Sequence, residues 1–143
     1  MKKVSLVLYA MLLISSTSAF AEVLPDEDAA KELSTEIMVK VAEGDLDTAF
    51  KIMKPYVSVR GAEIDGAIIQ SKVQRKQYGQ RYGTSIDYEF IDEKKVGDSL
   101  LRLRYIEKTE KHALPWTFYF YKTKEGWVLN SFSWNDIFKE LFT

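Results

Sequence analysis

Proton-shuttling chemistry needs a carboxylate or imidazole in a perturbed environment beside a hydrogen-bond donor, and this chain offers few groups for it. There is one histidine, His112, and no cysteine. Thiol chemistry, thiolate-ligated zinc and a histidine-rich catalytic metal centre are thereby excluded. His112 stands in a short loop beside Lys111, where a single histidine serves turn or packing roles more often than catalysis. Asp65 is a carboxylate that a helix could carry toward an interior, and a surface position is its plainer reading. Tyr88, Tyr105, Trp116 and Asn130 are polar-tipped side chains placed to line a pocket, and they are the ligand-binding candidates. The basic run Lys72, Arg75, Lys76 and Arg81 reads most simply as a solvated helix face; its functional reading is a site for an acidic lipid headgroup or an acidic partner surface. No nucleophile elbow, phosphate-cradling glycine loop or metal-ligand cluster stands in the chain, so no catalytic residue, no metal site and no cofactor is expected.

The elements that must position these groups follow from hydrophobic period. In "LPDEDAAKELSTEIMVKVAEGD", Pro25 suits a first helical position, and Asp26, Glu27 and Asp28 lie where the helix dipole favours acids. Ala30, Leu33, Ile37 and Val41 form a buried stripe, and Gly44 ends the helix. Asp45 is the expected N-cap of a second helix carrying Leu46, Ala49, Phe50 and Met53, which Pro55 stops or kinks. A third helix is expected over about 62–82, anchored by Ile64, Ile68, Ile69 and Val73 and closed by Gly83. The period then drops to two. Strands are expected over roughly 85–92, 99–108, 114–123 and 127–134, with turns at Val96-Gly97-Asp98 and Lys124-Glu125-Gly126. Residues 136–142 suit a last helical turn. Helices followed by an antiparallel meander make a segregated α+β fold, with N-terminal helices packed on a four-stranded sheet.

Strand parity separates two faces. Ile86, Tyr88 and Phe90 point one way with Leu101, Leu103 and Tyr105; Asp87 and Glu89 share the other face with Arg102 and Arg104, which they are expected to neutralise. No Asp or Glu is expected on the inner parity of the central strands. The run Trp116-Thr117-Phe118-Tyr119-Phe120-Tyr121 carries rings on both parities. With Trp116, Phe118 and Phe120 inside, Tyr119 and Tyr121 must face outward. Either they tolerate half-exposure with their hydroxyls in water, or they meet a second copy or a partner protein, since interfaces favour tyrosine. In the last strand both parities contain a tryptophan. Trp127 and Leu129 face inward with Ser131 and Ser133, or Val128, Phe132 and Trp134 do, with Asn130 in the pocket.

The chain opens with Met1-Lys2-Lys3, an uncharged apolar run from Val4 to Ile14, and Ala19-Phe20-Ala21. That pattern is a signal peptide over 1–21 with cleavage after Ala21, which implies a periplasmic protein with no stable membrane anchor; an uncleaved anchor is the competing reading. Residues 22–143 then form a single domain. Without Lys2 and Lys3, 18 of the 20 basic side chains stand against 21 acidic ones, a balance that argues against nucleic-acid binding.

Two segments carry a family resemblance. "AEGDLDTAFKIMKPYV" is similar to the helix–Gly-Asp–helix hairpin that opens domains of the NTF2-like (cystatin-like cone) superfamily, and "WTFYFYKTKEGWVLNSFSW" resembles their closing hairpin, with a Trp after the turn glycine. The likeness spans nearly all of residues 22–143 and rests on topology. It implies a curved sheet wrapped around a helix to enclose a conical pocket, and dimerisation through the outer sheet face. The superfamily holds isomerases, dehydratases, secretion-system parts and binding modules, so fold does not confer function. The expected function is an exported non-catalytic domain of the bacterial cell envelope that binds a small apolar ligand or a protein partner and forms a homodimer. The alternatives are a pocket enzyme of isomerase or dehydratase type using Tyr88, Tyr105 or Asp65, and a secretion-apparatus component with its N-terminal anchor retained.

Overall fold

A computed structural model describes residues 21–59 and 61–143; most of the expected signal peptide lies outside the described residues. The fold is α+β. Helices α1 (Glu27–Ala42), α2 (Leu46–Met53) and α3 (Gly61–Tyr82) precede strands β1 (Ser85–Val96), β2 (Leu100–Thr109), β3 (Ala113–Lys122) and β4 (Trp127–Trp134). The strands form an open antiparallel sheet in the order β1-β2-β3-β4, and a 3-10 turn over Phe138–Phe142 ends the chain.

Helices α1 and α2 start where their cap residues dictate. Asp26 takes the Ala29 N–H at 2.8 Å and Asp45 takes the Thr48 N–H at 3.0 Å, satisfying donors that a helix start otherwise leaves orphaned. Pro25 therefore precedes the cap rather than opening the helix. Helix α1 buries Ala30, Leu33, Ile37 and Val41 as its spacing requires, with Ser34 and Met38 beside them. Helix α3 departs from expectation: Ile64 is buried and Ile68 partly so, but Ile69 and Val73 are exposed. Its sheet-facing row is Ile64, Ile68, Ser71, Arg75, Tyr78 and Tyr82, spaced four and three residues apart, so the row continues through polar-tipped side chains while two of the expected aliphatic anchors, Ile69 and Val73, lie off it.

Beneath the sheet, Leu101, Leu103, Tyr105, Trp116, Phe118, Phe120 and Leu129 pack with Phe50, Ile37 and Met38 into one core, all essentially inaccessible. Trp116 lies parallel to Trp134 at 5.5 Å between ring centres, and Phe118 meets Tyr105 edge-on at 5.8 Å, both favourable aromatic geometries.

Three bulges set which residues face this core. In β4, Phe120 pairs with Leu129 and Tyr119 with Ser131, so Asn130 is the extra residue. A bulge inverts alternation beyond it. Trp127 and Leu129 face inward before Asn130, and Phe132 and Trp134 face inward after it. Both tryptophans are accommodated, and the two arrangements read from the sequence each hold for half of the strand. In β1, Ile86 and Ile91 have no partner in the register. The strand runs four residues beyond the expected end, and the shift places Asp92, not Asp87 or Glu89, opposite Arg104. Asp92 accepts from Arg104 Nε at 2.8 Å and from its Nη2, and it lies 3.8 Å from Arg102; Glu89 pairs instead with Lys108 at 3.1 Å. The Arg104 guanidinium holds the Asp92 carboxyl below the usual carboxylate range.

Sheet edges are managed differently on the two sides. Leu24 exchanges two backbone hydrogen bonds of 2.8 Å with Trp127, and the Ser58 N–H donates to Leu129 at 3.0 Å, so flanking chain covers β4. Gly126 permits that approach, because a Cβ there would lie 2.5 Å from the Leu24 carbonyl oxygen. Strand β1 is the open edge, and its Asp87, Glu89, Lys94 and Lys95 oppose edge-to-edge pairing.

Candidate functional site

The expectation that no acid falls on the inner parity of the central strands is overturned by Glu107. It follows Leu101, Leu103 and Tyr105 on the core side of β2, and it is wholly buried. Its Oε1 accepts from Arg75 Nε at 2.8 Å and from Ser85 Oγ, and its Oε2 accepts from Trp116 Nε1 at 3.1 Å. Arg75 also donates through Nη2 to Ser85 Oγ at 2.9 Å. Four elements supply this cluster: α3 brings Arg75, the first residue of β1 is Ser85, and diagonal neighbours on β2 and β3 bring Glu107 and Trp116. Burying a lone carboxylate costs several kcal/mol; here a cation, a hydroxyl and an indole N–H compensate it. With three donors on its two oxygens, Glu107 is spent on holding helix to sheet and presents no free acid–base group to a substrate.

Above the cluster lies a cleft of about 570 Å3 between the turn at Gly44 and Asp45 with the first residues of α2, the second half of α3 and the start of β1. Arg75, Ser85 and Glu107 are at its floor, and Lys72, Lys76 and Gln80 line one wall. Of the basic run read as a solvated face, Lys72, Lys76 and Arg81 are exposed, but the Arg75 side chain is only 11% exposed. Lys72 pairs with Asp47 across the cleft mouth.

The sequence-read pocket residues do not form one site. Tyr105 and Trp116 are buried core members, and Tyr88 is half-buried at the open edge with its ring 6.4 Å from that of Tyr105. The Tyr105 hydroxyl lies 3.4 Å from Thr35 Oγ1, and burial pushes its ionisation above the ordinary tyrosine range. Asn130 is exposed at the β4 bulge and lines grooves on the outer face, away from the other three. Asp65 is half-exposed and bonded to Lys54 at 2.6 Å, which removes the carboxylate an isomerase reading depended on. His112 packs: its ring stacks on Tyr82 at 4.2 Å, and Nε2 is 2.8 Å from the Asp136 carbonyl oxygen. Among the described residues, no group of three or more His, Asp or Glu is arranged to hold a metal ion.

The outer face is the second candidate surface. Val96, Leu100, Tyr121 and Val128 form a continuous row across all four strands, and Lys94, Arg102, Tyr119 and Ser131 form the next. A groove of about 530 Å3 follows these rows, and a neighbouring one of about 650 Å3 shares Tyr121 and Asn130 with it. Tyr119 and Tyr121 are 42% and 46% exposed, with Leu100 and Val96 comparably open. Arg102 Nε is buried there with no acceptor among the described residues.

No protein-family model, curated protein or solved structure matches this chain.

Proposed function

We propose that this is an exported, non-catalytic domain of the bacterial cell envelope, NTF2-like in architecture, that acts by association, and that its outer sheet face pairs with a second copy. The observation that carries the reading is the distribution of rings. The hollow under the sheet is filled by packed side chains, whereas the solvent side keeps Val96, Leu100, Tyr119 and Tyr121 uncovered around a groove. Exposed apolar area with tyrosine at its centre is what interfaces select.

A second copy suits the face for two reasons. Four strands of eight to twelve residues, about 4.8 Å apart and rising about 3.4 Å per residue, offer roughly 20 by 30 Å. That is of the order of the ~800 Å2 each partner contributes to a standard interface. The polar groups beside the apolar row include both signs, Lys94, Arg102 and Arg104 with Asp92 and Glu89, so a two-fold arrangement can oppose unlike charges. An acceptor arriving from the partner would also relieve the unpaired Arg102 Nε.

Native mass spectrometry of the protein purified from its host tests the reading. The expected result is a chain starting at Glu22, at twice its monomer mass, with the Tyr119→Asp/Tyr121→Asp double variant monomeric and unchanged in circular dichroism. A monomer in the wild type, or a dimer that survives both substitutions, overturns the proposed interface; a chain retaining residues 1–21 overturns the exported soluble form.

A further inference from the structure

The cleft on the helix side of the molecule carries an inference independent of the outer face. Lys72, Arg75 and Lys76 stand at positions i, i+3 and i+4 of α3, so one helix face turns all three toward it. Its carboxylates are already engaged. Asp45 receives the Thr48 N–H at 3.0 Å, Asp47 is paired with Lys72, and Glu107 holds Arg75, Ser85 and Trp116.

The cations are not all engaged. Arg75 commits Nε and Nη2 to Glu107 and Ser85, and neither of these bonds uses Nη1. Lys76 likewise forms no ion pair among the described residues. Gly79 keeps this donor accessible, since even a Cβ there would sit 3.4 Å from Arg75 Nη1. A guanidinium fixed by two bonds to its own protein loses little freedom when a third forms, and its remaining N–H groups suit a planar or tetrahedral oxyanion. Opposite the basic wall, the partly exposed Leu46 supplies apolar lining over the buried Val41. A concave site with a few convergent polar groups on an apolar wall, of this volume, is the form small-molecule sites take.

We propose that the cleft binds a small organic anion, its carboxylate or phosphate seated on Arg75 Nη1 and Lys76 and its apolar part lying along Leu46. Arg75 is the positioning centre, and Glu107 and Ser85 fix its plane. Lys76 supplies the second charge from solvent.

The test is an amide NMR titration of the domain beginning at Glu22, with sodium octanoate and inorganic phosphate as probes. Because Arg75 also supports the fold, the decisive variant is Lys76→Glu, at an exposed position without a partner; Lys139→Glu controls for net charge. Both probes are expected to shift the amides of Gly79, Gly83 and Thr84 saturably. Lys76→Glu should weaken both by about tenfold or more, the effect of removing a charge-assisted hydrogen bond, while Lys139→Glu binds as wild type. Absence of saturable shifts at these amides with both probes overturns the site. Equal titration of the Lys76→Glu variant, or equal weakening by Lys139→Glu, overturns the assignment of the charge. Binding of phosphate but not octanoate removes the apolar wall from the proposal.

Discussion

Helices α1 and α3 lie against the same sheet and are held by different physics. Over 16 residues, α1 buries a continuous stripe of six. Over 22 residues, α3 fully buries only Ile64 and Ser71. What α3 has instead is a series of directed bonds: Lys54 to Asp65, Trp134 to Ser71, Arg75 to Glu107, and Tyr78 and Tyr82 to Asp136. Apolar burial is non-directional and tolerates side-chain exchange of similar volume. A hydrogen bond or ion pair depends on both partners and on their geometry, and leaving one partner buried alone costs more than the pair contributed. Helix α1 should therefore report on global unfolding, and α3 should behave as a separate unit that opens at lower free energy.

The largest test of that contrast is Glu107. Glu107→Ala strands Arg75 without its counter-charge and leaves the Trp116 N–H unpaired, which is expected to cost about 3–5 kcal/mol. Hydrogen exchange should rise first across α3, with α1 amides following only at the global limit. The double variant Arg75→Met/Glu107→Leu removes both charges and should recover most of the loss, because matched apolar replacement of a buried pair is often neutral. Equal acceleration in both helices would break the comparison by making the two a single cooperative unit. A double variant as unstable as Glu107→Ala would assign the loss to packing instead of stranded charge.

This pair also marks where sequence reasoning succeeded and where it stopped. The elements, the Asp45 cap, the two hairpin turns and the α+β order were legible, because period and punctuation are local; the start of α1 was read too early, with Pro25 inside the helix and Asp26 not recognised as its cap. Glu107 was legible too in principle: it continues the alternation of Leu101, Leu103 and Tyr105. Arg75 likewise continues the four-three spacing that joins Ile64, Ile68 and Ser71 to Tyr78 and Tyr82. Each looks like a surface residue when judged by type, and only their coincidence on two buried faces identifies them as partners. The bulges were not legible. Nothing local distinguishes Asn130 from its neighbours as the extra residue, and the cross-strand register that makes it so is set by residues on β3. The same holds for Ile86 and Ile91, whose insertion moved Arg104 from the expected Glu89 or Asp87 to Asp92. The ligand candidates read from alternation were consequently divided between core and outer face.

A smaller effect sharpens the contrast at the middle of α3. Trp134 Nε1 donates to Ser71 Oγ at 3.1 Å, and both residues are buried. Ser71→Ala leaves the indole N–H without its acceptor while adding no volume, and is expected to cost about 1–2 kcal/mol in chemical denaturation. Trp134→Phe in the Ser71→Ala background should add only the loss of ring area, so the two substitutions are sub-additive. Additive losses would mean that the hydrogen bond contributes nothing to docking α3.

The smallest effect is set by pH at the end of the same helix. Asp136 accepts from the Tyr82 hydroxyl at 2.7 Å and from the Tyr78 hydroxyl at 3.3 Å, and the Tyr82 bond chiefly holds its carboxyl below the ordinary range. A carboxylate with a depressed folded value binds protons more readily in the open state. Its contribution is thus fully present above the open-state value of about 3.9 and is lost as pH falls below that toward the folded value. Tyr82 contributes in the opposite window, since the Asp136 bond raises its ionisation above the usual tyrosine range and the contribution fades above about pH 10. Between these limits the bond is constant. Exchange of the last amides of α3, corrected for intrinsic rates, should accelerate below about pH 4 in the wild type and be already fast, without that step, in Asp136→Asn. Helix α1 has no such partner on its sheet-facing stripe, so its protection should show no step assignable to Asp136. An acid step of equal size in Asp136→Asn would place the titrating group elsewhere, with Asp92 and its Arg104 partner the next to test.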